Sequence, residues 1–213
     1  MGEQAKKQDY IPVVMIFFGL PLLLWALSDF PRRTVLKESL SVLTLLAFCL
    51  ILGEFFLTRS GRNFLKVNNL GKAIKIHKFI GYPVVLIILV HPFLIVVPRY
   101  FESGVAPMEA FKTIITTFES FGVVLGIIAW CLMLILAVTS LFRKKLPMKY
   151  QTWRMCHGIL SILFISTATW HAVDLGRHMN RPISIYMIIL ATIGGLLVLK
   201  AYVVNSLSKK EDK

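Results

Sequence analysis

The residues from Ile76 to Val97, IHKFIGYPVVLIILVHPFLIVV, form an apolar stretch that is long enough to cross a bilayer as a helix. This stretch contains two histidines, His77 and His91, which are 14 residues apart. Fourteen residues are close to four helical turns, so we expect both imidazoles on nearly one face, about 21 Å apart along the axis. One ring would then lie near each side of a membrane.

A second apolar stretch repeats this arrangement. From Cys156 to Leu175 the sequence reads CHGILSILFISTATWHAVDL, and its His157 and His171 are again 14 residues apart. An ionisable side chain inside a bilayer is costly and indicates a function or a partner. Two facing imidazoles suit low-spin heme iron and leave no position open for oxygen or substrate. The two stretches therefore predict two bis-histidine heme b sites that transfer electrons.

The composition indicates a membrane-embedded helical bundle, because 56% of the residues are hydrophobic and the mean hydropathy is +0.72. The formal net charge is +13, but the basic residues lie between apolar runs. We therefore assign them to cytoplasmic loops beside anionic lipid and expect no nucleic-acid partner. The three cysteines fall in or beside apolar runs and form neither a disulfide framework nor a CxxC motif.

The apolar runs predict an all-α, polytopic membrane protein: one domain, residues 1–213, built as a six-helix transmembrane bundle. The paired histidines place heme between the third and fifth helices. No small-residue cleavage site follows the first span, so we expect that span to be retained. Glu54 lies near enough to the end of the second span to reach the membrane interface. The predicted spans are about 11–27, 39–57, 76–97, 121–142, 156–175 and 183–204.

The charges of the connections predict the orientation. The second and fourth connections are basic and contain no acidic residue, whereas the others mix signs. By the positive-inside rule both basic connections are cytoplasmic, and so are both termini of this predicted multi-pass protein of the bacterial inner membrane. The third and fifth spans are then parallel, which sets His77 level with His157 and His91 level with His171. The basic residues are Arg59, Arg62, Lys66, Lys72, Lys75 and Lys78 in the second connection, and Arg143, Lys144, Lys145, Lys149 and Arg154 in the fourth.

Some neighbours of the histidines suit a heme, although each has a simpler explanation. Arg154 lies one turn before His157 and could pair with a heme propionate, but a positive-inside charge explains it equally well. Gly81 and Gly158 would let a flat macrocycle approach the backbone, and ordinary helix packing explains them too.

Phe164 lies midway between the two histidines of the fifth span, on their face, and could stand between two porphyrins. A phenylalanine that faces the core or the lipid is the simpler interpretation. The connection after the fifth span carries a group that could bind an anionic acceptor, although a solvated loop explains it more simply. That group is Arg177, His178 and Arg181.

Three segments resemble the ferric reductase-like transmembrane domain superfamily: HKFIGYPVVLIILVH, GIIAWCLMLILAVTS and TWRMCHGILSILFISTATWH. That superfamily includes NADPH oxidases, ferric-chelate reductases and the heme-binding membrane subunit of the periplasmic methionine-sulfoxide reductase system. The chain is closest to the last of these in size and span count. The resemblance implies that His77 and His157 bind an inner heme and that His91 and His171 bind an outer one.

Larger members of the superfamily carry a flavin- and nicotinamide-binding domain after the last span, whereas this chain ends about nine residues beyond it. The resemblance therefore implies an oxidoreductase component without its own NAD(P)H site. Its flavin would come from a partner polypeptide, or its donor would be a quinol.

These observations favour a transmembrane electron-transfer cytochrome b. It would pass electrons from a cytosolic flavin reductase, or from quinol, to an extracytoplasmic acceptor such as a ferric chelate or a periplasmic reductase subunit. With a negative cytoplasm, outward electron movement gains about 2.3 kcal/mol per 100 mV. The alternative is a quinol-linked cytochrome b subunit of a respiratory complex. A third class, a non-redox bundle whose histidines relay protons, lacks the intramembrane carboxylates expected of a proton path.

Overall fold

The structure, a computed structural model, describes residues 11–58, 61, 69–101, 104 and 106–211, with side chains described up to residue 202. The predicted loop residues Arg59, Arg62 and Lys66 lie outside this range. Throughout the described residues the regular structure is helical, which confirms the predicted helical membrane fold. The helices are α1 (Ile11–Ala26), α2 (Val35–Glu54), α3 (Leu70–Val96), α4 (Pro107–Thr116), α5 (Phe121–Leu141), α6 (Tyr150–Leu175) and α7 (Arg181–Glu211).

Several helices are long and apolar enough to cross a membrane, so the chain is a multi-pass membrane protein. They correspond to the second to sixth predicted spans: Val35–Leu57, Leu70–Tyr100, Phe121–Leu141, Tyr150–Leu175 and Arg181–Tyr202. The first predicted span corresponds to α1, which is apolar but shorter than the roughly 20 residues of a usual span. A sixth crossing therefore stays a prediction.

Helix α1 is not a regular α-helix. A π-helical segment, Met15–Gly19, interrupts it, and the Leu20 N–H bonds to the Met15 carbonyl five residues earlier. Pro21 follows directly and has no N–H to continue the ordinary pattern. The distortion next to Pro21 is thus a single widened turn of the helix.

Both histidine-bearing helices begin about six residues before their predicted spans, at Leu70 and Tyr150. The helices extend beyond the predicted spans because hydropathy marks the apolar run and not the whole helix. Local hydrogen bonds can stabilise a polar first turn. In α3, the Asn69 side-chain oxygen accepts hydrogen bonds from the N–H groups of Gly71 and Lys72, at 2.8 and 3.3 Å. Each helix therefore has two further turns at the end that the charges predict to be cytoplasmic.

Helix α4 lies in the connection between the third and fourth predicted spans. Pro107 is its first residue, a position where the missing N–H costs nothing. The ring of Phe111 stacks on Phe93 of α3 with centroids 5.1 Å apart, which holds α4 against one end of α3.

The most deeply buried part of the core lies between α1, α2 and α7, where Cys49, Leu52, Ile183 and Met187 are fully buried. In α2, half of the residues of the apolar segment are buried inside the protein, compared with 17% in α3. The most extensive contact between helices joins α5 to α6, and α2 packs along α3. The two histidine-bearing helices thus lie beside this most buried part, and each packs against a different neighbour.

Candidate functional site

The structure brings the four predicted histidines together in two pairs. The ring centroids of His77 and His157 are 6.5 Å apart, and those of His91 and His171 are 6.4 Å apart. His77 and His157 lie near the starts of α3 and α6, whereas His91 and His171 lie nearer their ends. Because the pairs join start to start and end to end, α3 and α6 run parallel. The ring planes are at 90° in the first pair and at 58° in the second.

These separations are too long for a direct hydrogen bond between the two rings of a pair. A direct bond between two ring nitrogens, at about 2.9 Å, would bring the centroids to roughly 5 Å. Two metal–nitrogen bonds of about 2 Å each, in line between facing imidazoles, separate the centroids by roughly 6 Å. The observed 6.4 and 6.5 Å match the second arrangement.

In the outer pair, both Nδ1 atoms donate to backbone carbonyls. His171 Nδ1 lies 2.8 Å from the Gly122 carbonyl oxygen of α5, and His91 Nδ1 lies 2.5 Å from the Ile88 carbonyl oxygen of its own helix. Pro92 has no N–H to give to the Ile88 carbonyl four residues earlier, so that carbonyl is available to the neighbouring ring. The His91–Pro92 dipeptide thus supplies its own acceptor.

In the inner pair, the Nδ1 partners are side chains. The Nδ1–H of His77 donates to the Glu54 carboxylate, and the Ser140 hydroxyl lies 3.4 Å from Nδ1 of His157. With these contacts, all four histidines have a partner on Nδ1. Metal-binding histidines usually bond in this way through their second nitrogen, which fixes the ring and leaves Nε2 as the ligand atom.

Glu54, which we expected to reach the membrane interface, is the last residue of α2 and lies beside the inner pair. Its side chain turns inward and is 9% exposed, and the Oε1 atom has no hydrogen-bond partner among the described residues. Sequence reasoning missed its role. The signal was available, because the end of the second span and the start of the third lie at the same predicted depth.

Two glycines of α5 make room for the outer end of α6. A Cβ on Gly126 would lie 2.4 Å from Nδ1 of His171, and one on Gly122 would lie 2.2 Å from an Asp174 carboxylate oxygen. These glycines form a G-x-x-x-G pattern, which is typical of close helix contacts in membranes. Sequence reasoning did not use this pattern, although it was visible.

Comparison with known proteins decides the family. The model of the family described as ferric reductase like transmembrane component matches residues 43–168. The chain belongs to this family. The match includes His77, His91 and His157 and ends three residues before His171. The resemblance inferred from the histidine-bearing segments is thereby confirmed.

A relative of this chain occurs in Archaeoglobus fulgidus and is described as an uncharacterized protein. The two are 38% identical over 171 residues, which cover 80% of this chain and 92% of the relative. No solved structure matches the chain.

The two glycines that we associated with a heme differ in their surroundings. A Cβ on Gly81 would meet no described atom within 4 Å, so the space beside this part of α3 can accept a flat group. A Cβ on Gly158 would lie 1.9 Å from the Tyr202 hydroxyl of α7. Gly158 therefore allows α6 and α7 to pack closely, which agrees with helix packing, the second of the two explanations given for it.

Arg154 and Phe164 occupy positions that suit their predicted roles without deciding them. The Arg154 carbonyl accepts the Tyr202 hydroxyl at 2.7 Å, and its side chain is half-buried next to the inner pair in sequence. Phe164 is buried in the core, between the two pairs along α6. A propionate partner for Arg154 and a place between porphyrins for Phe164 stay predictions.

An aromatic stack orients the His157 ring from the side of the fourth connection. Trp153 stacks on His157 with centroids 5.1 Å apart, and Tyr150 stacks on Trp153 at 5.9 Å. The Trp153 Nε1–H donates to the Thr139 carbonyl at 3.1 Å, and the Arg143 guanidinium lies 4.2 Å from the Tyr150 ring centre. A tryptophan one turn before the histidine was the signal that sequence reasoning missed.

His178 is not part of a solvated loop. Its side chain is 4% exposed, lies against the rings of Trp25 and Phe30, and has its Nε2 atom 3.2 Å from a Glu38 carboxylate oxygen. Arg33 pairs with the same carboxylate at 2.9 Å. Burial, together with the nearby arginines, lowers the pKa of His178 despite the opposing effect of Glu38.

Arg177, another basic residue of this connection, bonds to the backbone of the chain itself. Arg177 donates to the Pro31 carbonyl at 3.1 Å, which ties the connection after α6 to the one after α1. Arg181 is the first residue of α7.

Proposed function

We propose that this chain is a transmembrane electron-transfer cytochrome b subunit with one heme b at each histidine pair. The family and the multi-pass fold support a membrane electron-transfer role. The observation that carries the heme assignment is the geometry of the four histidines. Each pair has the separation expected across a metal, and every Nδ1 already has a partner.

The residues present fit this cofactor. His77 and His157 would hold the inner heme, and His91 and His171 the outer one. A heme held by two imidazoles supplies reversible one-electron transfer and leaves no open position for substrate. Arg154 would pair with a propionate of the inner heme, and Phe164 would lie between the two sites.

The charges support an inward donor and an outward acceptor. The second and fourth connections, which lie at the same end of the molecule as the inner histidine pair, are basic. By the positive-inside rule, this favours a cytoplasmic location for these connections and for both termini. Among the described residues, Lys75, Lys78 and Lys144 are exposed at that end and could dock an acidic flavin reductase. The acceptor at the other end would be a ferric chelate or an extracytoplasmic reductase subunit.

A quinol donor is the second candidate, and one observation favours it. A crevice of about 220 Å³ opens between α1, α2 and α3, with the Glu54 carboxylate in its otherwise apolar wall. The free Glu54 Oε1 could accept a hydroxyl group, and the crevice could take the ring of a lipid-soluble quinol. Its apolar lining includes Val13, Phe17, Leu50, Ile76 and Ile80.

The heme content tests the proposal. Purified protein should give two hemes per chain by pyridine hemochrome analysis. His77→Ala and His157→Ala should each remove the inner heme, and His91→Ala and His171→Ala the outer one. His178→Ala is the matched control and should retain both. One heme in the wild type would exclude the two-heme assignment, and none would exclude the function.

The donor is tested by reduction kinetics. NADH alone should not reduce the hemes at a useful rate, whereas NADH with a flavin reductase, or a quinol, should reduce the inner heme first. Replacing Lys75, Lys78 and Lys144 by Gln should slow the flavin reductase and leave quinol and dithionite unaffected. Rapid reduction by NADH alone would show a nicotinamide site in the chain and contradict the subunit assignment.

A further inference from the structure

We propose that Glu54 is a positioning residue that lowers the reduction potential of the inner heme relative to the outer one, and thereby sets the direction of electron transfer. This inference rests on the proposed function and concerns how the chain distinguishes its two sites.

The two histidine pairs differ in the charge of their Nδ1 partners. His91 and His171 donate to backbone carbonyls, and the partner of His157 is a serine hydroxyl. These partners carry no net charge. The His77 ring alone of the four donates to a carboxylate, which Glu54 supplies from a separate helix.

The burial of Glu54 makes its charge effective. The carboxylate lines an apolar crevice, and no arginine or lysine pairs with it in the part of the chain that the structure describes. Glu38 provides the contrast, because Arg33 neutralises that carboxylate at 2.9 Å. A charge without a compensating partner in a medium of low polarity acts strongly on its neighbours.

Two effects of Glu54 act in the same direction. A carboxylate that accepts the Nδ1–H of a ligand makes that imidazole a stronger donor to the metal. The negative charge itself also favours the ferric state, which carries one more positive charge than the ferrous state. Both effects lower the potential of the inner heme. At the outer pair neither ligand histidine donates to a carboxylate, and the Asp174 carboxylate near Gly122 is exposed to solvent.

The consequence is a downhill direction from the inner pair to the outer pair. The electron leaves the site of lower potential for the site of higher potential. With the predicted orientation, this direction is outward and agrees with the direction that the membrane potential favours.

The test is a redox titration of each heme in Glu54→Gln. The amide keeps an acceptor for His77 and removes the charge, so the inner potential should rise while the outer potential stays unchanged. Measuring the inner potential in a His91→Ala background, where the inner site alone is occupied, avoids overlap between the two optical signals. The g-values of the ferric inner heme should shift too, since the ligand field of His77 changes.

Three control variants sharpen the result. Glu54→Asp keeps the charge and should restore most of the low potential. Glu38→Gln removes a buried carboxylate at the other end and should leave the inner potential unchanged. Ser140→Ala removes the neutral partner of His157 and should have a smaller effect than Glu54→Gln.

The outcomes separate this inference from the function on which it rests. An unchanged inner potential in heme-loaded Glu54→Gln, or an equal shift at both hemes, would overturn it while leaving the cytochrome assignment intact. So would loss of the inner heme in Glu54→Gln with retention in Glu54→Asp, because the charge would then serve to hold the ligand and not to tune it. Absence of heme from the wild type would instead overturn the proposed function.

Discussion

Each half of this molecule contains a contact between a carboxylate and a histidine, and the two contacts have different surroundings. In the inner half, Glu54 bonds to His77, whose side chain is 49% exposed and faces His157. In the outer half, Glu38 contacts His178, which is 4% exposed and lies apart from the outer histidine pair. In one half the contact thus includes a predicted ligand, and in the other it does not.

The difference teaches that residue type alone does not identify the functional contact. Arg33 balances the charge of Glu38, and aromatic rings enclose His178, so this contact is closed and joins two connections of the chain. Glu54 has no such cation among the described residues, and the His77 ring that it orients keeps an available nitrogen. The Glu54–His77 contact can act on a group bound to the available nitrogen, whereas the closed Glu38–His178 contact stabilises the fold.

The largest expected effect is the loss of the outer site through helix packing. Gly126→Leu places a side chain against the His171 ring, because even a Cβ would lie 2.4 Å from its Nδ1. The variant should lose the outer heme and keep the inner one, giving one heme per chain by pyridine hemochrome analysis. Gly195→Leu is the control, since a Cβ there meets no described atom within 4 Å. Retention of both hemes in Gly126→Leu would show that the ring position is not required.

Removing the outer carboxylate should affect stability and not heme content. Glu38→Ala leaves Arg33 and His178 without their partner, which should cost roughly 2–3 kcal/mol for this partly buried group. We expect the midpoint of thermal unfolding in detergent to fall by several degrees with both hemes retained. Glu109→Ala removes an exposed carboxylate of α4 and should change little. Loss of a heme from Glu38→Ala would contradict the division between the two contacts.

The closed contact should also make stability depend on pH. The pKa of His178 is lowered in the folded protein, so below about pH 6.5 the unfolded chain takes up a proton that the folded chain does not. Stability should therefore decrease as the pH falls from 7 to 5. His178→Phe should reduce this dependence, as measured by thermal unfolding at each pH. An unaltered dependence in the variant would assign it to other groups.

The smallest effects on stability should come from removing one tryptophan hydrogen bond in each half, and they should be of equal size. Trp153→Phe removes the indole bond to the Thr139 carbonyl, and Trp130→Phe removes the corresponding bond to the Leu89 carbonyl at 2.8 Å. Each change should cost about 1 kcal/mol of unfolding free energy and leave the heme content at two. A much larger loss in one variant would show that its tryptophan does more than donate this bond.

Parts of the site could be read from the sequence because they depend on one helix at a time. A spacing of 14 residues fixes the relative positions of two histidines on a helix, and equal spacings on two parallel helices bring the rings into register. The acceptor for His91 is also local, since Pro92 frees the Ile88 carbonyl within the same helix. The apolar runs and the family resemblance likewise follow from the order of residues along the chain.

The tertiary structure alone decided which groups surround those rings. Glu54 and His77 are 23 residues apart, and Gly122 and His171 are 49 residues apart, on different helices in each case. The rotation and depth of packed helices determine such contacts, and hydropathy does not resolve either quantity. The same reason applies to His178, whose charged neighbours along the chain indicate a solvated loop. Its burial depends on aromatic side chains brought there by α1 and the connection that follows it.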